Sequence, residues 1–227
     1  MTLGILLPTR GRPEMFSRFI QACYATGEDW HLYVRLDTDD PRAPEYDLVF
    51  EEFAFSRFSV FHGDRIGFAA SLNELAVHAE LEGVSHLGMF GDDVEPVSLG
   101  WDTALVEALG GRLGVAYGDD GLRHKHAPDL PTHYVTQTEV YRRLGYLAPP
   151  TIRHLFLDNV ARDIGRYLKN FVYVPVAIPH HHPWAEGEHL HDTTYAEGGR
   201  NSDLRHADRM AYIRWAQNRE WKKRLRG

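Results

Sequence analysis

Apolar residues come in short blocks along the first hundred positions, and the spacing within the blocks alternates between two kinds. Leu3 to Leu7 is an almost unbroken apolar run, the mark of a strand buried on both faces. A loop of Pro, Gly and Arg follows. Pro13, a residue comfortable in a first helical turn, then opens a stretch where Met15, Phe16, Phe19, Ile20 and Cys23 recur at helical spacing. His31 to Leu36 predicts a second strand, ending in the acidic turn Asp37-Thr38-Asp39-Asp40-Pro41, and Phe58 to Phe61 a third. Phe68, Leu72, Leu75, Ala76 and Ala79 return to the helical period, and Ser85 to Phe90 predicts a strand that runs directly into Gly91-Asp92-Asp93.

This alternation predicts right-handed crossovers and an α/β fold, with a mostly parallel, Rossmann-like central sheet and helices on both faces. Ligands of such sheets bind beyond the carboxyl ends of the strands. Three loops at those ends carry unusual chemistry: Arg10-Gly11-Arg12, Asp37 to Asp40, and Asp92-Asp93. Their coincidence at one edge says more than any single loop.

The second half is less regular. Trp101 to Leu109 reads as a helix, Leu113 to Tyr117 as a strand, and Gly118 to Pro131 as a loop rich in Asp, His, Gly and Pro. Thr132 to Gln137 predicts a strand with a short helix to Leu144. Phe156 to Leu168 predicts a helix, and Phe171 to Ile178 a strand interrupted by Pro175. Pro179 to Arg200 is a polar, histidine-rich loop, too long for a mere connection. Ser202-Asp203 opens a final amphipathic helix. The simplest division is one domain over residues 1–200 with a helical tail over 201–227, packed on it or extending from it.

Composition changes this picture little. With 43% of its 227 residues hydrophobic, the chain can bury the core of one large α/β domain. No apolar run reaches the ~20 residues that span a bilayer, and Met1 to Pro8 reads as a strand, not a signal peptide. Cys23 is the only cysteine, which excludes an internal disulfide and leads us to expect a reducing, cytoplasmic setting. Its helical neighbours make it a core residue. The formal charge of −7 argues against whole-surface attraction to nucleic acid. Arg214, Arg219, Lys222, Lys223, Arg224 and Arg226 nevertheless form a local basic patch, either a solvated helix end or an acceptor-binding arm.

Three groups could carry chemistry. Asp92 and Asp93 repel one another at a strand end unless a positive charge lies between them, and hard oxygen ligands favour Mg²⁺ or Mn²⁺. A plain hydrated acidic turn is the alternative. His180, His181 and His182 follow a predicted strand, with His189 and His191 close behind, and imidazole beside carboxylate suits Mn²⁺. On extended backbone His180 and His182 share a face and His181 opposes them. Asp158, amid Leu155, Phe156 and Leu157 at a predicted helix start, is either a cap or a general base.

The order of these features resembles the family 2 glycosyltransferases, which have a GT-A fold. Ile5-Leu6-Leu7-Pro8-Thr9-Arg10-Gly11-Arg12-Pro13 is similar to their opening strand and nucleotide-contacting loop. Asp37 resembles the acidic residue that contacts the donor base. Gly67 to Asn73 resembles the Gly-to-Asn helix start that precedes the metal motif, and Phe90-Gly91-Asp92-Asp93 resembles the Asp-x-Asp region that binds metal and diphosphate. Asp158 falls where the family places its catalytic Asp, with Leu157 in place of the usual Glu, and His182 matches a late histidine that helps bind metal or diphosphate.

The resemblance implies a metal-dependent transferase moving a sugar from a nucleotide-sugar donor, a UDP-sugar by expectation, onto a hydroxyl of a saccharide, protein or modified nucleic acid, with inversion. Pro8, Thr9, Arg10, Arg12, Asp37, Gly67, Asn73 and Asp92 would contact the donor. Asp93, His182 and His180 would hold Mn²⁺ or Mg²⁺, and Asp158 would be the base. A nucleotidyltransferase, a metal-dependent hydrolase and a non-catalytic nucleotide-sugar-binding protein are the competing readings.

Overall fold

The computed structural model describes residues 3–53, 57–122, 129–181 and 202–227. The predicted loop at Gly118 to Pro131 therefore lies partly outside the described residues. So does most of Pro179 to Arg200, including His182, His189 and His191.

A seven-stranded sheet forms the centre. Its strands are β1 (Leu3–Thr9), β2 (Trp30–Asp37), β3 (Phe58–Gly63), β4 (His86–Met89), β5 (Val115–Asp119), β6 (Tyr134–Gln137) and β7 (Phe171–Ala177), in the spatial order β3-β2-β1-β4-β6-β5-β7. Only β6 runs antiparallel to its neighbours, β4 and β5. The register of β1 on β2 is continuous from Leu3 opposite Trp30 to Thr9 opposite Leu36. On its other side β1 pairs with β4 only from Leu3 to Leu6. Pro8, which has no N–H to donate, comes after that pairing ends, where the strand tolerates it.

The helices are α1 (Pro13–Thr26), α2 (Ala43–Glu52), α3 (Phe68–Leu81), α4 (Trp101–Ala108), α5 (Thr138–Leu144), α6 (Leu157–Tyr167), α7 (Ser202–Gln217) and α8 (Glu220–Arg226). The period-2 alternation of β1 divides the core: Leu3, Ile5 and Leu7 face one layer and Leu6 the other. The first layer is closed by α1, α2 and α4 through Phe16, Phe19, Tyr46, Phe50, Trp101 and Leu105. The second is closed by α3, α5, α6, α7 and α8.

Cys23 is fully buried in the first layer. The element that the sequence pattern failed to indicate is α2, which buries Tyr46, Val49 and Phe50 at helical spacing just after Pro44.

The basic C-terminus is two helices, not one. They pack on the domain by burying Ala211, Trp215, Trp221 and Leu225 in the second core layer. Trp215 and Trp221 stack at 4.6 Å. The cations of α8 are partly taken up locally. Lys222 lies over the rings of Tyr167 and Trp221, Arg226 donates to the Tyr167 hydroxyl, and Arg224 donates to the Leu144 carbonyl. Among the described residues no helix is long and apolar enough to cross a membrane.

Candidate active site

The carboxyl ends of β1, β2 and β4 meet around the Arg10-Gly11-Arg12 loop. Gly11 takes a left-handed φ of 71° there, which lets its N–H reach the buried carboxylate of Asp40 at 2.7 Å. Asp40 also accepts from the Arg42 N–H at 2.9 Å. The Tyr46 hydroxyl accepts from the Arg12 N–H at 2.8 Å and lies 3.1 Å from Thr9 Oγ1. Helix α2 and the acidic turn before it thus brace this loop, Tyr46 from the helix and Asp40 from the turn. The sequence reading gave neither residue a role of its own, though the signal was present: Asp40 belongs to the acidic turn, and Tyr46 to an apolar stripe.

The two arginines face different acidic loops. Arg10 Nη1 lies 2.5 Å from Asp39 Oδ1 and 3.6 Å from Asp37 Oδ2. Arg12 Nη1 lies 3.3 Å from Asp92 Oδ1 and 3.7 Å from Asp93 Oδ2. Asp37 is fixed from below by Arg35, which is only 3% exposed. Arg35 donates to Asp37 Oδ1 at 2.7 Å, to Glu74 Oε2 at 3.0 Å and to the Asp64 carbonyl at 2.6 Å. A buried guanidinium with three acceptors has little freedom, so Asp37 is presented in one orientation.

The paired aspartates separate into two roles. Asp92 is 7% exposed, and its Oδ2 accepts from Thr9 Oγ1 at 2.6 Å, locking β1 to the loop after β4. Burial raises its pKa against the pull of Arg12, and the neighbouring Asp93 adds to the rise. Asp93 turns the other way. Gly91 makes the turn possible, because a Cβ there would lie 2.3 Å from Asp93 Oδ1.

From Asp93 onward the chain runs antiparallel to the segment after β7. Bonds run from the His181 N–H to the Asp93 carbonyl (2.8 Å), from Glu95 to Pro179 (2.9 Å) and from Val97 to Ala177 (3.0 Å). This ladder brings His180 Nε2 to 3.3 Å from Asp93 Oδ2 and sends His181 the opposite way, to Glu95 Oε2 at 2.8 Å. Strand alternation accounts for the split between the two histidines.

Electrostatics couple the first pair. Burial disfavours the Asp93 charge, but His180 and Arg12 reverse that and hold its carboxyl well below the usual range. Burial likewise pushes His180 down, and Asp93, with Asp120 behind it, raises it above an ordinary histidine.

His133 lies behind this pair, 1% exposed and stacked on Phe90 at 5.5 Å. Among the described residues neither of its ring nitrogens has a hydrogen-bond partner. Burial, with His180 adding to it, drives its pKa down to about 3. The sequence reading placed it in a strand and gave it no role.

On the far side of the sheet's open edge, Gly67 (φ 87°) precedes α3. Asn73 ties α3 to residues 147–148: its side chain donates to the Ala148 carbonyl at 2.7 Å and accepts from the Leu147 and Ala148 N–H groups at 2.8 and 2.9 Å. The Arg153 carbonyl accepts from the Ala69 N–H at 3.0 Å, so the chain entering α6 covers the start of α3. His154 packs against Phe68 at 5.3 Å and is within electrostatic reach of Asp93 and Arg12. Asp158 follows in the first turn of α6, after Phe156 in the left-handed N-cap position (φ 69°). Its Oδ1 accepts from the adjacent Asn159 N–H at 2.7 Å.

No sequence-family model and no curated protein matches the chain. Solved structures do. The mannosyltransferase PcManGT from Pyrobaculum calidifontis, in complex with GDP-Man and Mn²⁺, superposes with a TM-score of 0.61 at 12% identity, over 80% of this chain and 57% of that one. S. aureus TarS 1-349 in complex with UDP gives 0.56 at 10% identity, over 78% and 61%. The same TarS fragment with UDP-GlcNAc gives 0.52 at 10%, over 77% and 58%. The fold is GT-A.

The chain spans about three fifths of the length of these structures. Within its GT-A fold the chain gathers Thr9, Arg10, Arg12, Asp37, Asp92, Asp93 and His180 at one end of the sheet through the contacts above. Asp158 lies in the first turn of α6, within electrostatic reach of Tyr134, and His182 lies outside the described residues.

Proposed function

We propose that this chain is a glycosyltransferase that moves a sugar from a nucleotide-sugar donor, a UDP-sugar in our reading, onto a hydroxyl acceptor with inversion, assisted by Mn²⁺ or Mg²⁺. One observation carries the reading. In a GT-A fold, a carboxylate oxygen and an imidazole nitrogen converge at 3.3 Å, with an arginine 3.7 Å from the same carboxylate. An oxygen and a nitrogen donor suit Mn²⁺, which would draw its remaining ligands from the donor's diphosphate. When bound, the cation neutralises charge growing on the leaving diphosphate.

The protein's own groups do the rest. Asp37, held by Arg35, offers a carboxylate to an N–H on the edge of the base. Arg12 and Arg10, released from their carboxylates, take phosphate oxygens in two-point contacts in this reading. Asp158 removes the proton from the acceptor hydroxyl as that oxygen attacks the anomeric carbon and the bond to the diphosphate breaks. The sugar ends inverted because attack and departure occur on opposite faces in one displacement.

The test is calorimetric titration of UDP and GDP with Mn²⁺, Mg²⁺ or chelator, followed by a nucleotide-sugar panel read by diphosphate release. Metal should tighten UDP binding at least tenfold, and Asp93→Ala should remove that gain. Equal UDP affinity with chelator would defeat the metal-assisted reading. Pyrophosphate released from a nucleoside triphosphate would point to a nucleotidyltransferase.

A further inference from the structure

Asp208 lies on α7, fifty residues from Asp158 in sequence, and is 1% exposed. Its carboxylate accepts three consecutive backbone N–H groups: Arg153 at 2.9 Å, His154 at 2.9 Å and Leu155 at 2.8 Å. A buried carboxylate is costly unless its lone pairs are filled, and here three peptide donors fill them.

One turn further along the same face of α7, Tyr212 stacks flat on Phe156, with centroids 5.8 Å apart and planes at 10°. Phe156 is the left-handed residue at the head of α6, a conformation that non-glycine side chains rarely adopt. The Tyr212 hydroxyl also donates to Asp163 Oδ2 on α6 at 2.8 Å. Residues 153–156 therefore rest on α7 through side chains at Asp208 and Tyr212, i and i+4. Their other side faces α3 through the Arg153 carbonyl and Phe68 through His154.

A helix that served only to cover apolar surface would need none of this. Ala211 and Trp215 already supply that cover. The contacts of Asp208 all go to one short loop, and that loop leads directly into the first turn of α6, which carries Asp158.

We propose that Asp208 and Tyr212 are positioning residues for acceptor activation, so that α7 is part of the active-site framework and not an appendage to it. This rests on the glycosyltransferase reading, in which Asp158 is the base. The full chain is tested as Asp208→Asn, which keeps the volume but turns an amide donor towards peptide donors, and as Tyr212→Ala and Tyr212→Phe. Three quantities are measured well below each variant's melting temperature: hydrogen exchange across 153–158 and across β1 and β2, Mn²⁺-UDP affinity, and UDP release from the sugar donor that the wild type turns over.

In Asp208→Asn the amides of 153–155 should exchange at least tenfold faster, with β1 and β2 unchanged. UDP affinity should stay within twofold, and kcat should fall at least tenfold at constant donor KM. Tyr212→Ala should lose turnover in the same way, and Tyr212→Phe, which keeps the ring, should restore most of it. A kcat within twofold of wild type in both Asp208→Asn and Tyr212→Ala overturns the proposal. So does a parallel loss of UDP affinity and kcat, the mark of general destabilisation. Failure of the underlying reading looks different: wild type itself then releases no UDP from any donor, and both inferences fall together.

Discussion

Each acidic residue of the candidate site has a distinct environment, and each environment sets a distinct expectation. Gly91 has no room for a methyl group because Asp93 Oδ1 occupies the place its Cβ would take, at 2.3 Å. Gly91→Ala should therefore swing Asp93 away from His180. We expect metal-dependent UDP binding to weaken about tenfold or more while the fold persists, checked by calorimetry beside a melting curve; unchanged affinity would show that the carboxylate's aim is irrelevant. Asp158 is different, since it needs only basicity and reach. Asp158→Asn keeps an oxygen for the Asn159 N–H and removes the basicity. UDP affinity should hold while transfer falls on the order of 10²-fold or more. Near-normal transfer with saturating donor would leave Asp158 as a helix-start residue only.

At the scale of elements, most strands and helices were legible because each carries one clear period, as in Leu3 to Leu7 or the Phe68-to-Ala79 stripe. Helix α2 was overlooked because Asp39-Asp40-Pro41 and Pro44 read as turn, although Tyr46, Val49 and Phe50 have helical spacing. Contacts that join distant elements left no local trace. Nothing near Asp208 in sequence indicates three donors at 153–155, and nothing near Asp40 indicates the Gly11 N–H. The candidate site was legible where it follows strand ends, at Arg12, Asp37 and Asp92-Asp93. Asn73 shows the limit: its place at a helix start was readable, but the partners of its amide were not. Those partners set an expectation at this scale. Asn73→Ala removes three hydrogen bonds between α3 and residues 147–148. At about 1 kcal/mol each, that is about 2–3 kcal/mol, and a melting temperature lower by roughly 2–4 °C per kcal/mol. UDP affinity of the folded variant should stay within about twofold. A loss of affinity without a loss of stability would return Asn73 to the donor site.

For the molecule as a whole, His133 should contribute to the pH dependence of stability with a sign opposite to that of Asp92, whose raised pKa lets the folded state bind the extra proton. An unfolded chain protonates His133 as pH falls through its ordinary value near 6.5, while the folded protein resists until about 3. This contribution is fully present above the first value and is lost progressively between the two, because the unfolded state binds the extra proton. His133→Phe, which keeps a ring against Phe90, should flatten the decline between pH 6 and pH 4 by up to about 1.4 kcal/mol per pH unit. Denaturant midpoints across that range measure it, and an unaltered slope would mean that His133 carries no such contribution. The ladder between Asp93–Val97 and Ala177–His181 has a further consequence, for the order in which the molecule comes together. Asp93 leaves the ribosome more than eighty residues before His180, and the two meet only when the segment around the end of β7 has closed the ladder. A nascent or half-folded chain holds the arginine loop and the aspartates but not the histidine that completes them. On the proposed metal-assisted reading, Mn²⁺ would therefore engage only a chain in which this ladder has closed, slowing its unfolding while leaving the rate of folding unchanged.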